Sequence, residues 1–410
     1  MAGTGTRPVR LPGCKSTSAR ALVLATLARG RSVLSGLSDS EDTVALRRAL
    51  AALGASFRDL PDGSVAVEGL GGPPRLSGQR LDAGEAATNL RFLACLAAAG
   101  RGEALLTGSP GLRARPHGPL FAFLASLGVE TTETADGWRI RGRGLPGGVW
   151  RPPVELSSQF LSALALAALA DAEVRLVLPA RIPSAGYFRL TLAAVRAFRG
   201  CEAAAATADG LLLRPAAAVG RRFAVPADAS GATFFLAAAA AAGRPVAFAR
   251  PWASEHPEAE LNAAWIAASR LLAPTAEAAF APGGPPPEQP LELDLDSAPD
   301  AGPALTGLAV RLPAGIRFRG LARLRHKESD RVAGMAALAA AAGGEVVEEQ
   351  DGALFVRAGR GRPAAAPFDP RHDHRLAMAA AVAGLEVADP ACVGKSFPEF
   401  WKEWNAWSRP

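Results

Sequence analysis

Residues 124–142 read LASLGVETTETADGWRIRG. An apolar helical phrase runs into Gly128, a residue suited to the left-handed turn that closes a helix. Two alternating runs follow, joined by Ala-Asp-Gly, a hairpin signal. The phrase recurs as LAALGASFRDLPDGSVAVEG at 50–69, LAAVRAFRGCEAAAATADGLLLRP at 192–215 and MAALAAAAGGEVVEEQDGALFVRAG at 335–359. A weaker copy, IAASRLLAPTAEAAFAP at 266–282, has Ala273 in the glycine position. From Gly54 through Gly128, Gly200 and Ala273 to Gly343 the spacings are 74, 72, 73 and 70 residues. The unit is therefore an α/β module of about 70 residues. A chain of 410 residues holds nearly six of them. One module cannot bury its apolar face alone, so two domains of three modules each are expected. The cleft between two such domains is the expected place for a small-molecule site.

The chain is 49% hydrophobic and 20% charged, ample for a buried core. Its net charge of +6 fits either a plain Arg-rich surface or attraction of anionic partners. Nucleic acid is disfavoured, because aromatics are only 6% and no dense basic run interleaves with them. Cys14, Cys95, Cys201 and Cys392 are far apart and form no C-x-x-C pair. That fits a reducing cytoplasm and argues against a zinc or redox motif. No signal peptide is visible. Apolar runs such as 160–170 and 234–242 are too short to span a bilayer, so no membrane partner is expected.

Polar clusters stand out against the alanine background. In LPGCKSTSARALVLA (11–25), Lys15, Ser16 and Arg20 sit at a helix start, where free N–H groups favour anions. Ser16 or Ser18 would serve as a plain N-cap. In EAATNLRFLACL (85–96) and GSPGLRARPHGPLFAFL (108–124), Arg91 and Arg115 each precede an apolar helix, with Pro116 in a first turn. Ser157, Ser158 and Gln159 lead the helix of LSSQFLSALALAALA (156–170). Ser184 and Tyr187, the chain's one tyrosine, follow in IPSAGYFRLT (182–191). Asp228 caps the helix of VPADASGATFFLAAAA (225–240).

The last cluster joins SAPDAGPAL (297–305), LARLRHKESDRV (321–332), RHDHRLAMAAA (371–381) and VGKSFPEF (393–400). Lys327, Arg331, Arg375 and Lys395 are anion-binding candidates, and Asp300 and Glu328 are base and acid candidates. The spacing of His372 and His374 is a weak metal signal; holding neighbouring groups in place is the better reading.

Taken in order, these motifs resemble the enolpyruvyl transferase family, in particular its branch acting on shikimate 3-phosphate. LPGCKSTSARALVLA, RPHGPL, SSQFLSALAL, SAGYFRLT, DASGATFFLAAA, PDAG, LRHKESDRV, DHRLAMA and KSFPEF span nearly the whole chain. The resemblance implies a two-domain α/β fold of six modules, three per domain, with the active site in the interdomain cleft. Crossings near Pro12 and Pro226 would divide the chain into 1–12 plus 227–410 and 13–226. It implies transfer of the enolpyruvyl group of phosphoenolpyruvate to the 5-hydroxyl of shikimate 3-phosphate, with release of phosphate. Lys15, Ser16, Arg20, Ser157, Ser158, Gln159, Ser184, Asp300 and Lys327 would hold shikimate 3-phosphate, with Tyr187 beside them. Lys15, Arg115, Gln159, Arg331, Arg375 and Lys395 would hold phosphoenolpyruvate. Asp300 would take the hydroxyl proton and Glu328 would protonate carbon 3. No metal or cofactor is implied, and a cytoplasmic monomer is expected.

The chain departs from the family pattern in places. Cys14 replaces a usual Ser, Ala19 an Asn and Gly186 a Pro. Arg323 stands where an Asn contacts the shikimate phosphate. Glu85 and Ala87 replace the Asn and Gly of Asn-Ala-Gly-Thr, and the Ala87 methyl is expected to narrow the pocket against glyphosate. Rival readings are a paralogue with another cyclic acceptor and a non-catalytic anion binder. The sister enzyme using UDP-N-acetylglucosamine is disfavoured, because Pro110 stands at the position of its loop cysteine.

Overall fold

The computed structural model describes residues 7–154, 157–168 and 172–409. The chain divides into two compact units, Gly13–Val225 and Met1–Pro12 with Pro226–Pro410.

The opening stretch forms as its pattern predicts. Helix Gly118–Ser126 ends just before Gly128, whose φ is +84°. Strands Glu130–Thr134 and Gly137–Arg143 pair antiparallel, with Thr134 opposite Gly137 across a two-residue turn. The whole module runs strand Gln79–Asp82, helix Ala87–Ala99, strand Arg101–Thr107, helix Gly118–Ser126, then the hairpin. Its first two strands are parallel, as a helical crossover requires, and the hairpin adds antiparallel strands to the second.

The same order builds the sheets around Gly148–Trp150 to Gly210–Leu213 and around Leu291–Asp294 to Leu354–Arg357. Two modules take their first strand from elsewhere in the chain. Arg222–Ala224 pairs parallel with Arg31–Ser35, and Val9 bridges parallel to Phe248. The family resemblance, rather than any local signal, puts the chain crossings near Pro12 and Pro226, next to these two borrowed strands. A last βαβ segment, in which Phe368 and Val387 bridge in parallel, ends in helix Phe400–Ser408 instead of a hairpin. Trp404 of that helix stacks on Phe400, with ring centroids 5.5 Å apart. The weaker copy departs from the expected pattern. The left-handed residue after helix Pro257–Ser269 is Arg270, at φ +57°, and Ala273 lies inside strand Leu272–Ala276.

Each module's first helix is alanine-rich and buried nearly all round, as for Lys15–Leu27, Ala87–Ala99, Ala229–Ala242 and His374–Ala383. A helix apolar on every side must lie inside. The second helix is more two-faced, as in Ala185–Arg199. Several of the candidate residues therefore share one structural address. Lys15, Ser158, Asp228 and Arg375 sit at the N-termini of inner helices. Ser184 and Arg331 sit at the N-termini of outer ones. N-terminal N–H groups and the helix dipole favour anions at such places. Among the described residues no helix is long and apolar enough to cross a membrane.

Candidate functional site

In the unit Gly13–Val225, Gly13 is forced by close approach: a Cβ there would lie 1.8 Å from the Gly36 carbonyl oxygen. The helix cap is neither Ser16 nor Ser18. It is Cys14, whose Sγ accepts from the Thr17 N–H at 3.4 Å. Ser18 Oγ instead accepts from the Ser38 N–H at 2.9 Å. Lys15 Nζ pairs with Asp42 Oδ2 at 2.7 Å.

Arg20 is buried, not splayed at a surface. It donates to Thr191 Oγ1 at 2.7 Å, Ser162 Oγ at 3.3 Å and the carbonyls of Ser16 at 2.6 Å and Tyr187 at 2.9 Å. Burial pushes its pKa down to about 10, against the pull of Cys14 and Tyr187. Arg20 thus ties the Ser16 turn to the helix that Ser184 begins. Thr191 and Ser162, its anchors, carry no mark in the sequence. Ser184 itself holds a left-handed φ of +49°, uncommon for a residue with a side chain.

Ser157 caps helix Ser158–Ala167, accepting from the Gln159 N–H at 3.2 Å. Arg91 does not precede a helix; it lies within Ala87–Ala99. Its Nη1 donates to Gln159 Oε1 at 2.6 Å and Ser157 Oγ at 3.2 Å, and its guanidinium lies over the Phe160 ring. Burial, with help from nearby Arg115, lowers its pKa to about 9. Arg115 is half-buried in the turn before helix Gly118–Ser126, where Pro119 rather than Pro116 occupies the first turn.

The second cluster belongs to the other unit and is centred on Arg331, 1% exposed. Arg331 donates to Asp300 Oδ1 at 2.7 Å, Glu328 Oε2 at 2.6 Å and Asp373 Oδ2 at 2.8 Å. Asp300 also faces Lys327 Nζ at 3.2 Å and Arg375 Nη2 at 3.2 Å. Arg375 is steadied by Ser230 Oγ, which accepts at 2.7 Å. Asp228 caps helix Ala229–Ala242 as expected, accepting from the Ser230 N–H at 3.3 Å.

Burial pushes the Asp300 carboxyl up, but Arg375, Lys327 and Arg331 together hold it well below the usual carboxylate range. Burial lowers the pKa of Lys327 against the pull of Asp300. Lys395 is buried at the end of the turn Pro390–Lys395, which packs on helix His374–Ala383. The two histidines part company: His374 is buried in the helix, while exposed His372 pairs with Asp389 Oδ2 at 2.8 Å. This network of three cations and three carboxylates can bind anions and move protons within one hydrogen-bonded group.

A family model for EPSP synthase (3-phosphoshikimate 1-carboxyvinyltransferase) matches residues 5–404. The chain is 36% identical to the 3-phosphoshikimate 1-carboxyvinyltransferase of Pseudomonas savastanoi pv. phaseolicola, over 95% of this chain and 92% of that one. It is 35% identical to the enzyme of the same name from Methanosphaerula palustris, over 95% and 94%. The fold matches EPSP synthase from Acinetobacter baumannii with a TM-score of 0.75 at 24% identity, covering 98% of this chain and 96% of that one. The enolpyruvyl transferase NikO from Streptomyces tendae matches with a TM-score of 0.71 at 17% identity, over 98% and 96%. The last two likenesses are of fold alone. By the family match and the extent of identity to its curated relatives, the chain belongs to the EPSP synthase (3-phosphoshikimate 1-carboxyvinyltransferase) family.

Proposed function

We propose that this chain moves the carboxyvinyl group of phosphoenolpyruvate onto the 5-hydroxyl of shikimate 3-phosphate and releases phosphate. The observation that carries the reading is Asp300 held among Lys327, Arg331 and Arg375, with Glu328 on the same guanidinium. Both substrates are polyanions, which suits this concentration of cations.

Lys15, Arg115, Gln159, Arg331, Arg375 and Lys395 hold phosphoenolpyruvate. Lys15, Ser16, Ser157, Ser158, Gln159, Ser184 and Lys327 hold shikimate 3-phosphate, and Arg20 orders the Ser16 and Tyr187 backbone beneath it. Asp300 as found is a weak base, because three cations stabilise its anion. Substrate phosphate and carboxylate groups neutralise those cations, and the carboxylate regains proton affinity.

Asp300 then takes the 5-hydroxyl proton as that oxygen attacks carbon 2 of phosphoenolpyruvate. Glu328 gives its proton to carbon 3, which becomes a methyl group. In the collapse of the tetrahedral adduct, a methyl proton returns to Glu328 and the double bond re-forms. The carbon–oxygen bond to phosphate breaks, and the departing phosphate takes the proton from Asp300. The cations stabilise the charge that develops on the leaving group.

The test is direct: purified protein with both substrates, measuring phosphate released. Release that requires shikimate 3-phosphate supports the assignment, and no release at adequate protein concentration refutes it. We also propose a monomer acting in a reducing cytoplasm, which sedimentation and thiol titration of the native protein would check. Among the described residues Cys14, Cys95 and Cys392 are buried free thiols.

A further inference from the structure

Strands Leu291–Asp294 and Ile316–Arg319 run parallel, from Leu291 opposite Ile316 to Asp294 opposite Arg319. One more bond, from the Leu295 N–H to the Arg319 carbonyl at 2.9 Å, extends the ladder. Past it one segment leads to Asp300 and the other to Lys327 and Glu328. Gly320, with φ +71°, keeps their backbones close: a Cβ there would lie 2.3 Å from Asp294 Oδ1 and 2.7 Å from the Asp296 nitrogen.

Arg323 then reaches across from the turn Ala322–His326. Its Nη2 donates to the Asp296 carbonyl and, at 2.6 Å, to Asp296 Oδ1. The pair is only 20% and 24% exposed. Four residues beyond Asp296 stands Asp300, and four beyond Arg323 stands Lys327, whose charges meet at 3.2 Å. The Arg323–Asp296 clasp is thus a side-chain rung between the last strand pairing and the reacting groups.

We propose that Arg323 is a positioning residue whose clasp on Asp296 sets the placement of Asp300 against Lys327 and Glu328, and so the rate of proton transfer from the acceptor hydroxyl. The inference rests on the function proposed above. An arginine can span this gap and hold the partner's backbone and carboxylate together. It acts on geometry rather than by touching substrate, so its loss should appear in kcat before KM.

The experiment compares wild type with Arg323→Ala, Arg323→Lys, Asp296→Asn and the Arg323→Ala/Asp296→Asn pair. It reads kcat, KM for each substrate, the pH profile of kcat and the urea midpoint. Arg323→Ala is expected to lower kcat by about 10- to 100-fold, the scale of a small misplacement of reacting groups, with both KM values nearly unchanged. Asp296→Asn should do much the same, and the pair should lose little more than either alone. Arg323→Lys should recover part of the rate.

Asp300 is faced by Lys327, Arg331, Arg375 and Glu328. With Lys327 displaced, its carboxyl rises, so the acidic limb of the profile should move to higher pH. A raised KM for shikimate 3-phosphate at unchanged kcat would mean that Arg323 touches substrate and would overturn the proposal. So would a lower urea midpoint with unaltered kcat and profile. Wild-type turnover is the control: an inactive wild type sinks the assigned reaction, whereas an active one with unaffected variants sinks only the positioning role.

Discussion

Asp373 closes both carboxylate oxygens on the guanidinium of Arg331, Oδ2 at 2.8 Å from Nε and Oδ1 at 3.3 Å from Nη2. The two side chains are 0% and 1% exposed. This grip turns the remaining Arg331 donors toward Asp300 and Glu328. Asp373 also accepts from Ser329 Oγ and from the Arg375 N–H, so one carboxylate orders three neighbours. Asp373→Ala should leave a buried cation short of its partner and destabilise the protein by about 3–5 kcal/mol, as unpairing a buried ion pair does. Urea denaturation measures it. Turnover should fall as well, because Arg331 loses its orientation. A change under ~1 kcal/mol would mean that the pair is far more solvated than its burial indicates.

Asp300→Asn and Glu328→Gln should each lower kcat by about 10²- to 10⁴-fold, the usual worth of a general acid or base. Near-normal turnover would reject the roles. Asp300 adds a stability signature. Its folded pKa is depressed, so its contribution is complete above the ordinary carboxylate value near 4. It is lost as pH falls from there through the folded value. The stability gap between wild type and Asp300→Asn should be flat above that pH and shrink below it.

Arg91 braces Gln159 and Ser157 from within its own helix. Replacing it by Ala removes hydrogen bonds donated by a charged group, each worth about 1.5–3 kcal/mol. Gln159 would be free to turn away. Arg91→Ala should lower kcat/KM by about 10- to 100-fold, with the loss shared between both substrates, because Gln159 is proposed to touch both. Steady-state kinetics with each substrate varied in turn checks this. A loss confined to one substrate would assign Gln159 to that substrate alone.

The modules were legible because their signals are local. A helix end, a left-handed glycine and a two-residue turn leave marks within 20 residues, and Gly128 with the Ala135–Asp136 turn shows it. The polar residues at helix starts were legible for the same reason. What escaped was long-range. Nothing near Arg20 announces Thr191, 171 residues away, and nothing near Arg91 announces Gln159, 68 away. The sequence put Arg20 at an anion-favouring helix start and Arg91 ahead of an apolar helix; the fold buries both and engages their donors with side chains of distant helices. Arg270 escaped differently: it adopts the left-handed turn that glycine fills in the sister modules, so the pattern pointed to Ala273.

His117 is 1% exposed, its Nε2 lies 2.9 Å from the Leu112 carbonyl, and its ring meets Trp138 edge-on. Burial, then the charge of Arg91, pushes its pKa down to about 4. An unfolded histidine titrates near 6.5. Between those values the unfolded chain binds a proton that the folded chain refuses, so stability falls as pH falls from about 6.5 to 4. The full loss is about 3 kcal/mol at 1.36 kcal/mol per pKa unit. His117→Gln should remove this slope. Urea midpoints of both proteins at pH 7, 6 and 5 measure it, and parallel curves would show that His117 titrates as if exposed.

Ala87 opens helix Ala87–Ala99, is 9% exposed, and follows Ala86, which offers no side-chain cap. Its methyl stands where the family resemblance has glycine beside the phosphoenolpyruvate pocket. Glyphosate is longer than phosphoenolpyruvate, so a methyl that the substrate tolerates should crowd the inhibitor. Overpacking of this kind costs about 1–3 kcal/mol. Ala87→Gly should therefore strengthen glyphosate inhibition by roughly 5- to 150-fold, while KM for phosphoenolpyruvate changes much less. The glycine also loosens the first helical turn, at a cost of about 0.5–1 kcal/mol in stability, which leaves a folded enzyme for the comparison. Inhibition constants for both proteins, measured against phosphoenolpyruvate, settle the matter: equal sensitivity removes Ala87 from any account of glyphosate selectivity.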